Sequence, residues 1–496
     1  MKAIIIDGYV DEPAVFGVPP YISPYARYVY GCYAYFGVEP EYLTIDTLRK
    51  QDLWNSLDHY DQIVLIGGIS VPGKYIGGHP LTYRDIIRIG ENAHEPLKII
   101  YGPFVNGYSL KGGNAAVSLD ERIEELYDCP VTGNIETYMF HLLNGDYPPE
   151  DISKEEEITD MVAPLGGGIL KKIPNYPYVI CEIEVSSGCE RETHCSFCTE
   201  PLFHGKYSER KSDSIHREIK ELYKNGARYF RLGRAANILA YGDNGSGLNV
   251  AAIETLYAGI RENAPDLKML HTDNANPGYI SHYERQAAEA IQVICKYNTE
   301  GDIFSFGVES FDPVVQKKNN LGISSEDVFK AIRIVNENGS GRKPNIPNLL
   351  PGINLIFGLI GESKASYEMN FDALKKIYDE GLMLRRINLR QVMISPNTPL
   401  WNYRQTNRLK FHKPLFKKLK DRIRDQIDHE MLKRVFPLNT IIEEIIPEFH
   451  DGNITFGRKL GTYSILVGIR EKLPLGIPVN VKVSEYGKRS ITGEVI

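Results

Sequence analysis

Three cysteines stand at 189, 195 and 198, in the run Ser186-Ser-Gly-Cys189-Glu-Arg-Glu-Thr-His-Cys195-Ser-Phe-Cys198. Three thiolates crowd one short loop, and no fourth follows. A structural zinc ion takes four ligands. A cubane [4Fe–4S] cluster also has four irons to ligate, and cysteine thiolates are its usual ligands. Three local ligands would leave one iron open to bind a substrate or cofactor, which points to chemistry rather than to a structural staple. The two residues between Cys195 and Cys198 let one turn reach adjacent corners, and the five between Cys189 and Cys195 reach the third. Gly188 allows the backbone to come close. His194 or His204 as a fourth ligand would make the loop a zinc site instead. The better reading of His194 is a surface loop residue.

The loop needs a scaffold, and the flanking sequence supplies one. Strand-like runs recur at Val179–Val185, Ala227–Leu232, Leu267–His271, Ile303–Gly307, Gly352–Phe357 and Ile387–Ile394. Helical stretches fall between them, among them Ser214–Asn225, Ser325–Asn338 and Ser366–Glu380. Six strand–helix units in order predict a curved parallel sheet, a partial or complete barrel. Such folds place their sites at the carboxyl ends of the strands. The cysteine loop directly follows the first strand, so it belongs at that mouth. Arg231–Asn237, Asp273–Pro277, Glu309–Ser310 and Gly358–Glu362 belong there too.

The cysteine triplet behind a strand, with Phe197 before its last cysteine and six units downstream, resembles the radical SAM superfamily. The resemblance spans about residues 175–400. It implies a [4Fe–4S] cluster held by Cys189, Cys195 and Cys198, whose open iron chelates S-adenosylmethionine. It also implies a reductant such as ferredoxin or flavodoxin, and reductive cleavage to a 5′-deoxyadenosyl radical. The commonest family spacing is C-x3-C-x2-C, whereas this loop is C-x5-C-x2-C. Phe306-Gly-Val-Glu-Ser310 resembles the fourth-strand segment, which makes Glu309 and Ser310 candidate cofactor contacts. Leu350–Glu362 resembles the fifth-strand segment beside the adenine, with Ile356 and Gly358 in its frame. The family's Gly-Gly-Glu segment has no match; Arg231-Leu-Gly-Arg-Ala-Ala-Asn237 takes its place, and Arg234 and Asn237 are the substitutes. Arg385–Arg390 followed by Ser395–Pro399 resembles the strand end of methylthiotransferases. Methyl or methylthio transfer is the reaction this resemblance suggests. The catalytic residue acting on the substrate is not identified. Neither is the substrate, which could be a small molecule, a peptide or RNA. A non-catalytic iron–sulfur or zinc protein, for electron transfer or RNA binding, is the alternative.

Residues 1–145 alternate short apolar runs, Lys2–Asp7, Gln62–Gly68 and Leu97–Pro103, with helices such as Pro24–Gly37 and Thr82–Asn92. They predict a doubly wound parallel sheet. Gly17–Tyr28 and Gly31–Gly37 resemble the first helix of the cobalamin-binding domain that precedes many radical SAM cores. Cobalamin is therefore a further candidate cofactor. The Asp-x-His-x-x-Gly signature is absent, since none of the 12 histidines has Asp two positions before it. Methylthiotransferases instead carry three further cysteines in a different N-terminal domain. Here the spare Cys32, Cys129, Cys181 and Cys295 are widely spaced and read as small buried apolar residues. Residues 146–178, acidic and then rich in Gly and Pro, predict an exposed linker. The barrel is expected over 179–400. Residues 401–496 predict a helix over Pro414–Arg434, with i,i+4 pairs Lys417–Asp421 and Arg424–Asp428, and then a small β-rich, barrel-like domain over Asn453–Phe456, Thr462–Val467, Val479–Ser484 and Ser490–Ile496. That domain suits either oligonucleotide binding or a packing lid, and the helix suits a solvated face or an RNA contact.

The 496 residues carry a net charge of -7, which argues against general nucleic-acid affinity. No apolar run reaches the roughly 18–20 residues of a membrane helix. No signal-peptide pattern opens the chain. An odd seven cysteines with three clustered is a metal-site pattern, not a disulfide framework, and predicts a reducing cytoplasm.

Overall fold

The computed structural model describes residues 1–9, 21–68, 78–107, 113–116, 121–148, 153–174 and 176–496. The opening run of the proposed N-terminal helix motif, from Gly17 to Pro20, lies outside the described residues.

The first layer is a five-stranded parallel sheet of β1 Ala3–Asp7, β2 Glu41–Thr44, β3 Gln62–Ile66, β4 Leu97–Tyr101 and β5 Cys129–Val131, in spatial order β2-β1-β3-β4-β5. Apolar side chains occupy both faces: Ile4, Ile6, Ile63 and Leu65 pack one way, Ile5, Val64 and Ile66 the other. That is why these strands read as unbroken apolar runs. The order reverses between β1 and β3, and a sheet of this order opens a ligand crevice outside the carboxyl ends there. Asp7-Gly8 and Gly67-Gly68 stand at that crest. Gly102, at φ +116°, passes so close that a Cβ would meet the Gly67 carbonyl at 2.1 Å, so only glycine fits.

The second body is a curved parallel sheet of β6 Ile180–Glu184, β7 Tyr229–Gly233, β8 Met269–His271, β9 Asp302–Glu309, β10 Leu349–Phe357 and β11 Arg386–Gln391. The third position is broken: β8 pairs with β7, and Asn274–Ala275 beyond the break pairs with β9. Tyr21–Ile22, just before the first helix (α1, Pro24–Tyr35), adds to the free edge of β6. The N-terminal layer thus covers an edge that would otherwise expose unpaired backbone groups.

Alternation along these strands decides what the barrel holds. Phe304, Phe306, Val308, Ile353, Leu355 and Ile387 face the helices in the main core. Many of their neighbours, which face the lumen, are polar. The register aligns Glu182 with Arg231, Ser305 with Gly352 and Arg386, Asn354 with Asn388, and Ile356 with Arg390. At the amino-terminal end this lining turns apolar. Ile180, Tyr229 and Met269 pack on Ile446 and Leu460, and Ile303 packs on Tyr463.

Those partners belong to a closed five-stranded barrel of β12 Ile441–Asp451, β13 Ile454–Lys459, β14 Leu466–Ile469, β15 Val479–Tyr486 and β16 Ser490–Val495. It plugs the end of the large barrel opposite the cysteine loop. Strand β12 was not expected. Glu443, Glu444 and Pro447 break its apolar alternation, and the strand absorbs them with register shifts on both flanks.

Two further expectations need correction. The exposed linker is instead packed structure: a helix at Glu156–Val162 and a 3-10 turn at Pro164–Lys172 lie against α1 with Ile158, Val162, Ile169 and Leu170 buried. Gly31 and Gly166 permit this, because a Cβ on either would strike backbone of the other segment within 2.5 Å. The single helix over 414–434 is interrupted by a π turn at Arg424–Asp428. The turn shifts the faces, so Asp421 pairs with Arg424 rather than Lys417, and Asp428 is half-buried. No helix among the described residues is long and apolar enough to cross a membrane.

Candidate functional site

Gly188 leaves β6 at φ +75°, where a Cβ would meet the Lys206 carbonyl at 3.0 Å. A two-residue ribbon, Ser186–Ser187 against Ser208–Glu209, then closes the base of the cysteine loop. All three thiols are free and half-buried. Burial pushes Cys189 and Cys198 up to about 12 and raises Cys195 as well. Thiolates in such a place need positive charge. Arg191 supplies one donor, 3.3 Å from the Cys195 sulfur, and is itself held by the Asn320 carbonyl at 2.6 Å.

The three sulfurs are close enough to raise one another's proton affinity. Yet no three His, Cys, Asp or Glu side chains among the described residues converge tightly enough for a single metal ion. A cluster takes its ligands at separate iron corners, set wider than those of one zinc ion, and the donor set fits that arrangement. Neither histidine completes a zinc site. His204 turns to Arg234 at 3.5 Å, and burial, followed by the Arg234 charge, holds it down to about 4.

The sequence did not single out Asn319, which fixes the loop. This fully buried side chain accepts from the Ser196 hydroxyl at 2.7 Å and from the Ile360 N–H at 3.2 Å, and donates to the Val315 and Ile360 carbonyls, both at 2.8 Å. Its own carbonyl accepts from the Ser196 N–H at 3.0 Å. One amide thus joins the cysteine loop to the turn after β10. A lone Asn at a helix end carries no motif, so no sequence signal announced it.

The expected contacts divide. Glu309 ends β9 at φ +60°, and its Oε2 is buried without a hydrogen-bond partner. Burial pushes its carboxyl up to about 8 against the pull of Arg390, and its charge reaches Cys195. Asn237 is fully buried; its Oδ1 accepts from the Leu239 and Asn276 amides, while its Nδ2 lacks a partner. Asn276 continues to Glu190, next to Cys189, at 3.4 Å. Both orphaned polar atoms are of the kind a bound ligand satisfies. Ile356 shares an apolar cluster with Phe197, Trp401 and Phe411. Gly358 lies beside it at φ +96°, its N–H given to Glu362 at 2.6 Å. These two form a dry wall next to the cysteine loop. Arg234, at φ +62°, lies over the Tyr25 ring of α1 at 5.2 Å, so it faces the N-terminal layer. Ser310 is spent within its own turn: its hydroxyl accepts from the Asp312 N–H at 3.1 Å and its carbonyl from Gln316 at 2.9 Å. Glu362 is likewise a loop lock, accepting from Gly358 and from the Tyr367 hydroxyl.

The two parallel sheets meet crest to mouth. Gly113 and Ala116, beyond β4, donate to Val392 and Ile394, beyond β11, at 2.7 and 2.8 Å. Tyr25 meets Tyr101 at the end of β4 with ring centroids 5.1 Å apart, and Tyr25 is also within electrostatic reach of Glu184, Glu200 and Arg234 on the barrel rim. A ligand in the N-terminal crevice would therefore face the cysteine loop.

A model of the radical SAM superfamily matches residues 183–374. The chain belongs to the radical SAM superfamily. Radical SAM enzymes use a [4Fe–4S] cluster and S-adenosylmethionine, in accord with the thiols and the orphaned polar atoms at this mouth. An uncharacterised protein of Methanocaldococcus jannaschii is 41% identical over 100% of this chain and 93% of its own length. The ribosomal protein uS12 methylthiotransferase RimO of Clostridioides difficile is 23% identical over 41% of this chain and 43% of its own. Among solved structures, the radical S-adenosylmethionine methyltransferase TsrM of Kitasatospora setae, solved with tryptophan and a SAM analogue bound, shares the fold. Its TM-score is 0.54 at 16% identity, over 80% of this chain and 74% of that one.

Proposed function

We propose that this radical SAM enzyme transfers a methyl group, with cobalamin held in the crevice of the N-terminal sheet. The observation that carries the reading is the crest-to-mouth meeting of the two parallel sheets, which sets that crevice opposite the cysteine loop. The TsrM structures, one of them solved with cobalamin and a [4Fe–4S] cluster bound, share this fold and support the reading. Methylthio transfer would call for further cysteine ligands in the N-terminal layer. Cys32 is buried on α1, Cys129 lies on β5 and Cys181 on β6, and no three such ligands converge there among the described residues.

Cys189, Cys195 and Cys198 would ligate the cluster. When bound, the cluster supplies the electron that cleaves S-adenosylmethionine at its sulfonium. Asn237 Nδ2 would donate to the methionyl carboxylate or Glu309 would accept from the amine, each satisfying an atom now without a partner. Ile356 and Gly358 would flank the adenine, and Phe197 would exclude water from the cluster. Arg234 faces the N-terminal layer and would meet the substrate or cobalamin rather than the amine.

Anaerobic reconstitution followed by gel filtration in the presence of cobalamin tests this. Stoichiometric corrinoid retained with the protein, judged by its visible spectrum, supports the methyl-transfer reading. A preparation that cleaves S-adenosylmethionine yet retains none contradicts it.

A further inference from the structure

The end of the large barrel opposite the cysteines holds a cavity of about 290 Å³. Its walls are the start of β11, the helical run after the π turn, and two turns of the small barrel. The charge of its lining does not balance. Arg385, Arg386, Arg458, Lys488 and Arg489 face one carboxylate, Asp428. Arg458 is taken by Glu448 at 2.7 Å and Lys488 by Asp425 at 3.1 Å. Arg385, Arg386 and Arg489 make up the rest of the positive charge, and Asp428 is the one acid among the described lining residues.

Arg385 is the most telling of them. It gives Nη2 to the Tyr463 carbonyl at 2.9 Å and lies over the Phe436 ring at 5.0 Å. Its Nε is buried without a hydrogen-bond partner. Burial alone pulls this group down to about 10, with no carboxylate pulling the other way. Burying a cation without a counter-charge is costly, and a guanidinium does not relieve the cost by losing its proton at neutral pH. Arg386 beside it stacks on the Tyr463 ring at 3.8 Å, and burial likewise holds it down to about 9. Asp428 is itself pushed up to about 6 by burial, so the acid of this lining is a weak one.

We propose that this cavity binds a small phosphorylated molecule, its phosphate held by Arg385, Arg386 and Arg489. Guanidinium forks match the oxygens of phosphate in geometry and charge. Tyr463 and Phe436 line the same cavity, with their rings backing Arg386 and Arg385. A cavity of about 290 Å³ takes one phosphate and a small body, and the net charge of -7 does not draw a polyanion, so a phosphomonoester is favoured over a nucleic acid. The site is independent of the cluster, because the barrel lumen separates the two.

Isothermal titration of the full chain, without added iron or S-adenosylmethionine, tests the proposal. The probes are inorganic phosphate, glycerol phosphate, glycerol and a single-stranded RNA oligonucleotide. Saturable one-to-one binding of phosphate and glycerol phosphate is expected, with none of glycerol. Arg385→Met should weaken binding tenfold or more, and Arg489→Gln, at an exposed position that folding tolerates, by severalfold. Cys198→Ala should bind as the parent does. Absence of saturable phosphate binding, or parental affinity in both arginine variants, overturns the proposal. RNA that binds more tightly than glycerol phosphate and loses affinity in Arg385→Met overturns it in favour of a polymer.

Discussion

Asn319→Ala removes one side chain that touches no cofactor, and the consequences can be worked through. The parent amide makes four hydrogen bonds inside the protein, two of them to the backbone of Ile360. Alanine leaves the Ile360 N–H and the Ser196 hydroxyl without their partner in a buried place. Each lost bond contributes about 1 kcal/mol net, and buried orphans cost about 1–3 kcal/mol, with considerable overlap. A local destabilisation of about 2–4 kcal/mol follows, or about 1.5 to 3 decades in the opening equilibrium. The backbone bond from Ser196 N–H to the Asn319 carbonyl survives, so the cysteine loop should loosen without the barrel unfolding. A chain of several bodies does not melt in two states, so a global midpoint is the wrong readout. Hydrogen exchange read residue by residue is the right one. The Ile360 amide should exchange about 30- to 1000-fold faster, while amides of the five-stranded N-terminal sheet keep their rates. Iron bound after anaerobic reconstitution should fall. Unchanged exchange at Ile360 together with full iron content would refute the assignment of Asn319 as the tie between the two loops.

Two more outcomes follow from the same geometry. Gly358→Ala places a Cβ 2.4 Å from the Phe411 ring in a left-handed conformation, and that backbone strain alone costs roughly 1–2 kcal/mol. The dry wall must shift, so the Kd for S-adenosylmethionine should rise about tenfold or more with little change in iron content; unchanged affinity would remove Gly358 from the cofactor wall. His204 is held in its neutral form in the folded state, down to about 4 from 6.5. Its folded value lies below its unfolded value, so the unfolded chain binds the proton first as pH falls. Stability is full above about 6.5 and is lost as pH drops toward 4, by up to about 3 kcal/mol. His204→Gln should flatten thermal stability across that window, and an unchanged acid slope in the variant would contradict this.

The strands were legible because each carries one dominant pattern. Those of the N-terminal sheet, apolar on both faces, stand out as continuous runs. In the barrel the outward residues suffice, and Arg386-Ile-Asn-Leu-Arg390 carries its inward polar ladder at period two. Strand β12 and the segment 146–178 were not legible, for opposite reasons. Acidic residues and proline hid a strand whose bulges accommodate them. Glycines and charges imitated a linker where close backbone approach was their actual use. At the site, cysteines announce themselves by type and spacing. Ser310 and Glu362 share the site's sequence neighbourhood but are consumed by turn hydrogen bonds, which spacing does not reveal. Asn319 and Arg385 act through contacts made by residues far away in the chain, and only the folded structure brings those partners together.

The account rests on an open iron at the three-cysteine loop, and electron paramagnetic resonance of the reconstituted, dithionite-reduced protein reads that most directly. The parent should show a reduced [4Fe–4S] signal that changes when S-adenosylmethionine is added, and Cys198→Ala should lack it. A signal indifferent to S-adenosylmethionine, or a Cys198→Ala protein with the parent's cluster and cofactor response, would contradict it.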